Sequence, residues 1–403
     1  MCLVYHHEVL NHYYAKINTE GNWSENLMPV NYEQLHTQMK DAGKTLRLRH
    51  DAFSRAANQY ETQLRAEAGS EDLRERIEDL LASRPELRCA IPGNEPIDMV
   101  HPLPPLPPVQ IRLLACDGSQ ISPSRHDEIS FGLINTAVVE FIVNSGSTPR
   151  IITRTRLLPF DDLPSENLLG VQRDAAEKRF LAETAAGCGR EVPVFALSDG
   201  PLELFTDTPE MKGQELLKAE YLEALTQLAA ARIPAAGYID RPRSDPVIRM
   251  LDLLRTGSGQ EEKNPGADDS MIFSKLLAPG ERSAIFAMNS RLNRELSDEL
   301  RLCFFYMNIG RPGHPYICRV ELPAWAAEES AVMDLLHAVL IQQCSILGGH
   351  PYPFILHRAH ESAVVTLAEK EEIKNLLLRE MALNGLTPPE KSNKQIAKDL
   401  IKS

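Results

Sequence analysis

The chain has 403 residues, of which 43% are hydrophobic and 25% charged, with a formal net charge of −13. This composition is that of a soluble globular protein, and no apolar run approaches the ~20 residues that a transmembrane helix needs. The net negative charge argues against indiscriminate binding to polyanions, although it leaves room for an enzyme whose basic residues line one channel. The seven scattered cysteines contain no Cys-x-x-Cys pair, which favours reduced thiols in a cytoplasmic protein over a disulfide framework or a zinc site.

The first hundred residues divide into three stretches. Residues 1–27 lack periodicity and do not resemble a signal peptide, so we predict a disordered or spurious extension. Residues 28–101 form a predicted N-terminal helical region, because apolar residues recur at threes and fours from position 32 to about 83. We expect this helical hairpin to serve assembly, since its apolar stripe is long and it has no concentration of acids and histidines. Residues 102–108 are Pro-rich and predict a stiff linker.

The elements of the core follow in a recognisable order. Three predicted strands with short connections suggest an antiparallel meander, and strands and helices then alternate. The predicted strands span residues 109–115, 129–143, 150–158, 192–199 and 235–240, with helices at 165–186, 213–232 and 246–254. An antiparallel meander followed by βαβαβ is the order of an RNase H-like mixed sheet. In that fold class, carboxylates gather where the first and fourth strands lie side by side.

Two of these strands deliver an aspartate followed by glycine at their predicted ends. Asp117 precedes Gly118 and Ser119, and Asp199 precedes Gly200. A carboxylate at the end of a buried strand is costly unless something pairs with it, and a metal ion is one such partner. Asp-Gly is also the commonest turn dipeptide, so each aspartate taken alone is equally compatible with a simple turn.

The C-terminal third continues with further elements. Residues 256–269 are rich in glycine and acids and predict a mobile excursion. Pro353 suits a first helical turn, which places Tyr352 at the mouth of a helix and His360 two turns into it. Further strands are predicted at residues 283–288, 300–309 and 316–322, a helix at 326–346, and a flexible tail at 388–403.

Taken together, these motifs resemble the NurA nucleases over about residues 109–385. The shared features are Asp-Gly-Ser after the first strand, Arg-x-x-x-Glu on the following helix, and Asp-Gly-Pro-Leu on the fourth strand. The most specific blocks are Gly-Tyr-Ile-Asp-Arg-Pro-Arg-Ser at 237–244 and Tyr-Pro with Ala-His near the C-terminus. The resemblance implies a nuclease domain at residues 109–387, a Mn²⁺-dependent DNA nuclease activity and a homodimer. It also implies cooperation with a hexameric HerA-type ATPase in DNA end resection and repair.

The resemblance also assigns residues to the site. Asp117 and Asp199 match the metal-binding aspartates of the family, and Tyr352 and His360 match its C-terminal tyrosine and histidine. The remaining acid is Glu177, which fits the Arg-x-x-x-Glu motif. Glu183 is the alternative, and six helical residues separate the two by roughly 240°, so only one of them faces the site. Outside the site, Glu177 would be an ordinary i,i+4 partner of Arg173.

Phosphodiester hydrolysis is chemistry that suits these residue types. Two divalent ions ~4 Å apart stabilise both the attacking and the leaving oxygen, and carboxylates hold them. A histidine beside acids favours Mn²⁺, with Mg²⁺ as the alternative ion. The arginines are DNA-contact candidates: Arg241 and Arg243 flank Pro242 past a strand end, and Arg154 and Arg156 share one face of the third strand.

Two other functional classes remain open at this point. A non-catalytic protein could use the same fold to dock to DNA or to an ATPase, but such a protein would be expected to lack at least one metal carboxylate. A phosphatase on a similar sheet would need a small-substrate pocket, and the chain has no Walker-type phosphate loop. The motifs therefore favour a nuclease, with 5′-to-3′ exonuclease and single-strand endonuclease activities expected from the resemblance.

Overall fold

The computed structural model describes residues 30–124, 128–158, 160, 163–203, 214–257 and 267–387. The predicted extension at 1–27 and the predicted tail at 388–403 lie outside the described residues, as do residues 258–266. None of the helices in the described ranges is long and apolar enough to cross a membrane.

The chain splits into two units, Met1–Ala56 and Ala57–Ser403. Helix α1, Tyr32–Glu67, begins in the first unit, where its larger apolar side chains are exposed: Met39 and Leu46 are 60% and 63% accessible. In the second unit the last turns of the same helix are packed. The Tyr60 hydroxyl donates to the Asp252 carboxylate at 3.1 Å, and Tyr60 is 2% accessible.

The second unit is built from a mixed sheet with helices on both faces. Its strands are β1 Cys89–Pro92, β2 Val100–His101, β3 Ile111–Ile121, β4 Leu133–Val143, β5 Arg150–Leu157, β6 Val194–Asp199, β7 Ala235–Ile239, β8 Arg282–Ser283, β9 Phe286–Asn289, β10 Leu302–Asn308 and β11 Ile317–Pro323. The helices after α1 are α2 Leu73–Ala82, α3 Glu166–Ala186, α4 Gln214–Ala230, α5 Pro246–Thr256, α6 Ser270–Leu276, α7 Arg291–Glu295, α8 Ala324–Ala327, α9 Ser330–Ile346, α10 Phe354–Ala363 and α11 Leu367–Leu383, with a 3₁₀ turn at Asp298–Leu300.

Strand order confirms the predicted fold class. Strands β3, β4 and β5 form the antiparallel meander, and β6 and β7 add on the other side of β3 in parallel, giving the order β5-β4-β3-β6-β7. This is the RNase H-like mixed sheet. The sheet continues beyond β7 through β11, β10 and β9 to β1, so the stretch after α2 that the sequence placed in the N-terminal helical region contributes strands.

Alternation along β3 sends its side chains to two different cores. Leu113 and Ala115 pack in the core that includes residues of α9 and α10, whereas Leu114 and Cys116 pack in the core that includes residues of α3 and α4. Because side chains alternate along a strand, Asp117 follows the first pair toward α10. Position 118 follows the second pair toward α3.

Strand β3 does not end at its acid, which corrects the prediction of a turn at Asp117. The strand runs on to Ile121, and Gly118 and Ser119 pair with Thr136 and Asn135 of β4. What ends at this point is the parallel pairing with β6, whose last partners are Cys116 and Ser198. The long antiparallel neighbour continues and keeps β3 extended, so the Asp-Gly-Ser sequence lies within a strand and is not a turn.

The predicted mobile excursion also needs a correction at its end. Asp269 is fully buried, and its carboxylate accepts the backbone N–H groups of Val247 and Ile248 at 2.8 and 2.9 Å. It also accepts the Tyr306 hydroxyl at 2.7 Å. Two helix N–H groups that would otherwise lack partners are satisfied this way. Asp269 therefore fixes the start of α5, although burial raises its pKa to about 7.

Candidate active site

The candidate site lies where the parallel pairing of β3 and β6 stops. The register pairs Cys116 with Ser198, so the next residue on each strand is an aspartate, Asp117 on β3 and Asp199 at the end of β6. Both follow the alternation toward α10. The register therefore brings the two carboxylates to neighbouring positions, where β6 ends and β3 continues.

Helix α10 brings His360 onto Asp117. The His360 Nδ1 atom lies 2.7 Å from Asp117 Oδ2, and the Gly118 N–H donates to Asp117 Oδ1 at 2.7 Å. Because a carboxylate only accepts hydrogen bonds, Nδ1 is the donor in this contact, and Nε2 is the ring nitrogen that does not face Asp117. The His360 side chain remains 62% exposed while Asp117 is 14% exposed, so the free ring nitrogen is accessible from outside.

The end of α10 is tied to the same strands that carry the acid. The carbonyl oxygen of Ala363 accepts the Ser119 hydroxyl at 2.5 Å and the Asn135 amide at 2.9 Å. Both donors sit on the β3–β4 pair, next to Asp117. The helix position, and with it the reach of His360, is therefore fixed by side chains of the sheet.

Tyr352 approaches Asp199 from the turn before α10. Its hydroxyl donates a hydrogen bond to Asp199, and its ring packs edge-on against Tyr238 with centroids 5.5 Å apart. Burial raises the pKa of Asp199, and the nearby negative charge of Asp117 raises it further, while the Tyr352 hydrogen bond lowers it. The two aspartates are thus close enough to repel each other, and the pKa of Asp199 is raised in spite of its interactions with Tyr352 and His360.

Glu177 approaches the site from the opposite face of the sheet, at Gly118, which has no side chain to block it. A Cβ atom built on Gly118 would lie 2.6 Å from Glu177 Oε1 and 2.9 Å from Arg173 Cγ. Glu177 is 7% accessible, and burial raises its pKa to about 8, with Asp117 contributing to the rise. Arg173 lies 3.3 Å away and lowers it. The predicted i,i+4 contact with Arg173 therefore coexists with a position beside the acids.

Glu183 has a different environment. Its carboxylate is 42% exposed and forms ion pairs with Arg154 of β5 and with Arg179 on its own helix. The guanidinium of Arg154 also lies over the Phe180 ring, 3.9 Å from the centroid. Of the two glutamates, only Glu177 adjoins Asp117. Arg154 is already paired, and Arg156 is exposed on β5, with a pKa lowered by partial desolvation and by Arg179.

The arginines after β7 are placed differently from each other. Arg241 has a positive φ of 45°, and its Nε donates to the Tyr316 hydroxyl at 2.9 Å. That hydroxyl in turn donates to Asp240 at 2.9 Å. Arg243 is exposed, and it lies near Asp268, whose pKa is raised by burial and lowered in part by Arg243. Whether either arginine contacts DNA stays a prediction.

Two buried groups behind β6 hold the turn that follows Asp199. Glu321 Oε2 accepts the Leu202 N–H at 2.9 Å, and Arg319 donates to the other oxygen of the same carboxylate at 2.6 Å. A Cβ on Gly237 would lie 2.7 Å from the carbonyl oxygen of Gly200. The turn thus passes directly over Gly237, which explains why this position carries no side chain.

Reasoning from the sequence missed several residues that shape the site. Asp240 follows the end of β7 just as Asp199 ends β6, and that repeated position was the signal that could have identified it. Gly118 was taken as a turn residue, although its role is to leave room for Glu177. Glu321 had no local signal, because its partners lie 119 positions away in the chain.

The residues suit a divalent cation in the type of their donor atoms. Carboxylates and an imidazole are the ligands that Mn²⁺ accepts. Burial, and to a smaller extent the charge of Asp117, raises the pKa values of Asp199 and Glu177, and a bound cation would favour their ionised forms. Within the described ranges, however, no three His, Cys, Asp or Glu side chains are grouped so that they could hold an ion as they stand. The sheet backbone at Gly118 separates Glu177 from the other acids.

Comparisons with known proteins agree on a family. The NurA domain model matches residues 111–365. The NurA nuclease from Sulfolobus solfataricus has 13% identity and a TM-score of 0.48, with 68% of this chain and 85% of that chain covered. The catalytic domain of human endonuclease V has 13% identity and a TM-score of 0.29, covering 83% and 98%. LC9-RNase H1 has 13% identity and a TM-score of 0.22, covering 41% and 80%. None of the curated proteins matches the chain.

Proposed function

The chain belongs to the NurA family, and on this basis we propose that it is a metal-dependent DNA nuclease that hydrolyses phosphodiester bonds. One observation carries the proposal: Asp117 and Asp199 stand at the register point where the parallel strands β3 and β6 separate. His360 contacts Asp117, Tyr352 contacts Asp199, and Glu177 approaches from the other face of the sheet at Gly118. An acid cluster at this point of an RNase H-like sheet suits phosphodiester chemistry.

The proposed cofactor is Mn²⁺, two ions in number, with Mg²⁺ as an alternative. Asp117, Asp199, Glu177 and His360 would hold it. Bound ions would polarise the scissile phosphate and stabilise the charge that develops on the attacking and leaving oxygens. Because no ready three-ligand group is present in the described ranges, the proposal requires side-chain rotation when the ions bind.

The protein's own groups would each have a definite task. His360 directs its Nδ1 proton toward Asp117, which leaves its Nε2 atom either to bind an ion or, in the protonated ring, to donate a proton to the leaving oxygen. Tyr352 fixes the Asp199 carboxylate by its hydrogen bond. Arg241, whose guanidinium is held by Tyr316, stands beside this site as a candidate phosphate contact.

Assembly is part of the same proposal. We propose that the protein is a cytoplasmic homodimer that works with a hexameric HerA-type ATPase in DNA end resection. In that role it would act as a 5′-to-3′ exonuclease with endonuclease activity on single strands. Exposed Met39 and Leu46 on α1 support an assembly role for this helix. Replacing both with serine should shift the dimer or the ATPase complex toward dissociation in sedimentation runs, and unchanged assembly of both kinds would contradict this role for α1.

The catalytic proposal is tested by incubating purified protein with end-labelled DNA in Mn²⁺, Mg²⁺ or chelator. We expect cleavage with Mn²⁺, none with chelator, and loss of cleavage in Asp117→Asn with DNA binding retained. Asp298→Asn is a matched control, because Asp298 is 89% exposed and belongs to a 3₁₀ turn. No cleavage under any condition would leave a non-catalytic docking protein as the better description, whereas full activity in Asp117→Asn would show that cleavage does not depend on this carboxylate.

A further inference from the structure

A second concave feature adjoins the candidate active site. It is a groove of about 740 Å³, which we name the hairpin groove. Three segments form its polar wall: the residues after β7, the β10–β11 hairpin and the turn before α10. Its floor is apolar. The polar residues are Asp240, Arg241, Arg311, His314, Tyr316, His350 and Tyr352, and the floor residues are Ile309, Ile341 and Cys344.

The groove is continuous with the acid cluster through Tyr352. This residue lines the groove and donates to Asp199. A chain lying in the groove would therefore run directly to the proposed point of cleavage.

The β10–β11 hairpin that forms one wall is held rigidly. The Asn308 side-chain oxygen accepts the N–H groups of Gly310 and Tyr316 at 2.9 and 3.1 Å, and its amide donates to the Leu277 carbonyl at 2.9 Å. Two backbone hydrogen bonds between Arg311 and His314 close the tip. A site that is fixed before the ligand arrives loses less entropy on binding.

Only some of the charged side chains on this wall are held by contacts with other residues. Arg311 is exposed and has no ion pair with any residue in the described part of the chain. The one acid of the wall, Asp240, is already engaged by the Tyr316 hydroxyl. The groove thus presents two arginines and two histidines to an anion, on a protein whose net charge is −13.

We propose that the hairpin groove binds the sugar–phosphate backbone of a single DNA strand next to the scissile bond, with Arg311, His314 and His350 contacting phosphate oxygens. The inference rests on the proposed nuclease function and adds the strand path and the residues that define it. A groove of this volume is within the size range of small-ligand sites, so we expect it to hold a short stretch of one strand.

The test uses the full chain in chelator, with fluorescence anisotropy of a labelled oligothymidylate of eight nucleotides. Arg311→Ala should weaken binding roughly 3- to 10-fold and reduce the slope of log K against log salt by about 0.7, the value for one lost single-strand phosphate contact. Arg311→Lys should restore most of both. A blunt duplex of the same length should lose much less affinity.

Arg291→Ala is the matched control, since Arg291 is 88% exposed on α7 and pairs with Glu295; it should bind as the unaltered protein does. Native affinity and salt slope in Arg311→Ala would overturn the proposal, as would equal losses for single strand and duplex. If thymidine monophosphate competed as well as the oligonucleotide, the groove would be a free-nucleotide pocket and the strand path would be wrong. The absence of Mn²⁺-dependent cleavage, with these binding effects intact, would instead count against the nuclease function.

Discussion

Replacing Glu177 with glutamine should stabilise the metal-free protein at neutral pH while it disables the proposed site. Burial raises the pKa of Glu177 from 4.5 to about 8, so at pH 7 folding requires the chain to take up a proton. The cost corresponds to the ~2.5 pH units between 4.5 and 7, at ~1.4 kcal/mol each, or about 3 kcal/mol. Glutamine avoids this cost, although it also alters the contact with Arg173, which lies 3.3 Å from the carboxyl group. The expected net gain is therefore about 1–3 kcal/mol.

The most specific test of this prediction is how the stability difference between the variant and the unaltered protein changes with pH. Because the folded-state pKa lies above the unfolded value, the penalty is absent below about pH 4.5, grows through pH 7 and levels off above about pH 8. Urea unfolding can be followed by circular dichroism in chelator from pH 5 to pH 8. The free energy of unfolding of the variant, relative to that of the unaltered protein, should increase as the pH rises. A difference that is constant with pH, or a variant less stable at pH 8, would refute the reasoning. Glu183→Gln should show no such gain, because its carboxylate is exposed and paired.

Three further predictions address individual contacts. Gly118→Ala should push Glu177 out of place, since the added Cβ would lie 2.6 Å from its Oε1; we expect at least a tenfold loss in cleavage rate, and native activity would contradict the packing argument. Asp269→Ala should destabilise the fold by about 2–4 kcal/mol in urea unfolding, because two helix N–H groups and a buried tyrosine hydroxyl lose their acceptor. Tyr352→Phe should raise the pKa of Asp199, since the hydrogen bond that lowers it is removed. The acidic limb of the cleavage pH profile should then move to higher pH, and an unmoved limb would show that the contact is incidental.

The sheet was largely predictable because its determinants are local. The apolar runs of β3 to β7 and the polar turns between them follow from periodicity, and their order then identifies the RNase H-like arrangement. The nearness of Asp117 and Asp199 follows from that order, since β3 and β6 are neighbours. The error at Asp117 arose because Gly-Ser is a local turn signal, whereas the β4 ladder that keeps the strand extended is a tertiary contact.

The unpredicted features depend on contacts between distant parts of the chain. Asp269 sits in a polar, glycine-rich sequence, and nothing near it indicates that its carboxylate will meet the start of α5 and Tyr306. The hairpin groove combines separate segments of the chain, around positions 240, 311 and 350. The choice between Glu177 and Glu183 was open at the sequence level because helix phase is known only once the helix is packed. The structure places Glu177 toward the acids, and its role as a metal ligand stays a prediction.

The crossing of the Gly200 turn over Gly237 has a practical consequence for recombining this protein with its relatives. The turn carbonyl lies where a side chain at 237 would begin, and the N–H of Leu202 is held by Glu321 from a third strand. These three segments are far apart in the chain, but they pack closely against one another and depend on one another's shape. A chimera with a crossover between residues 203 and 237 would take the turn at residues 199–202 from one parent. It would take residue 237, against which that turn packs, from the other parent. Productive hybrids should inherit residues 199–202, 237 and 319–321 from the same parent, whatever happens to the sequence between them.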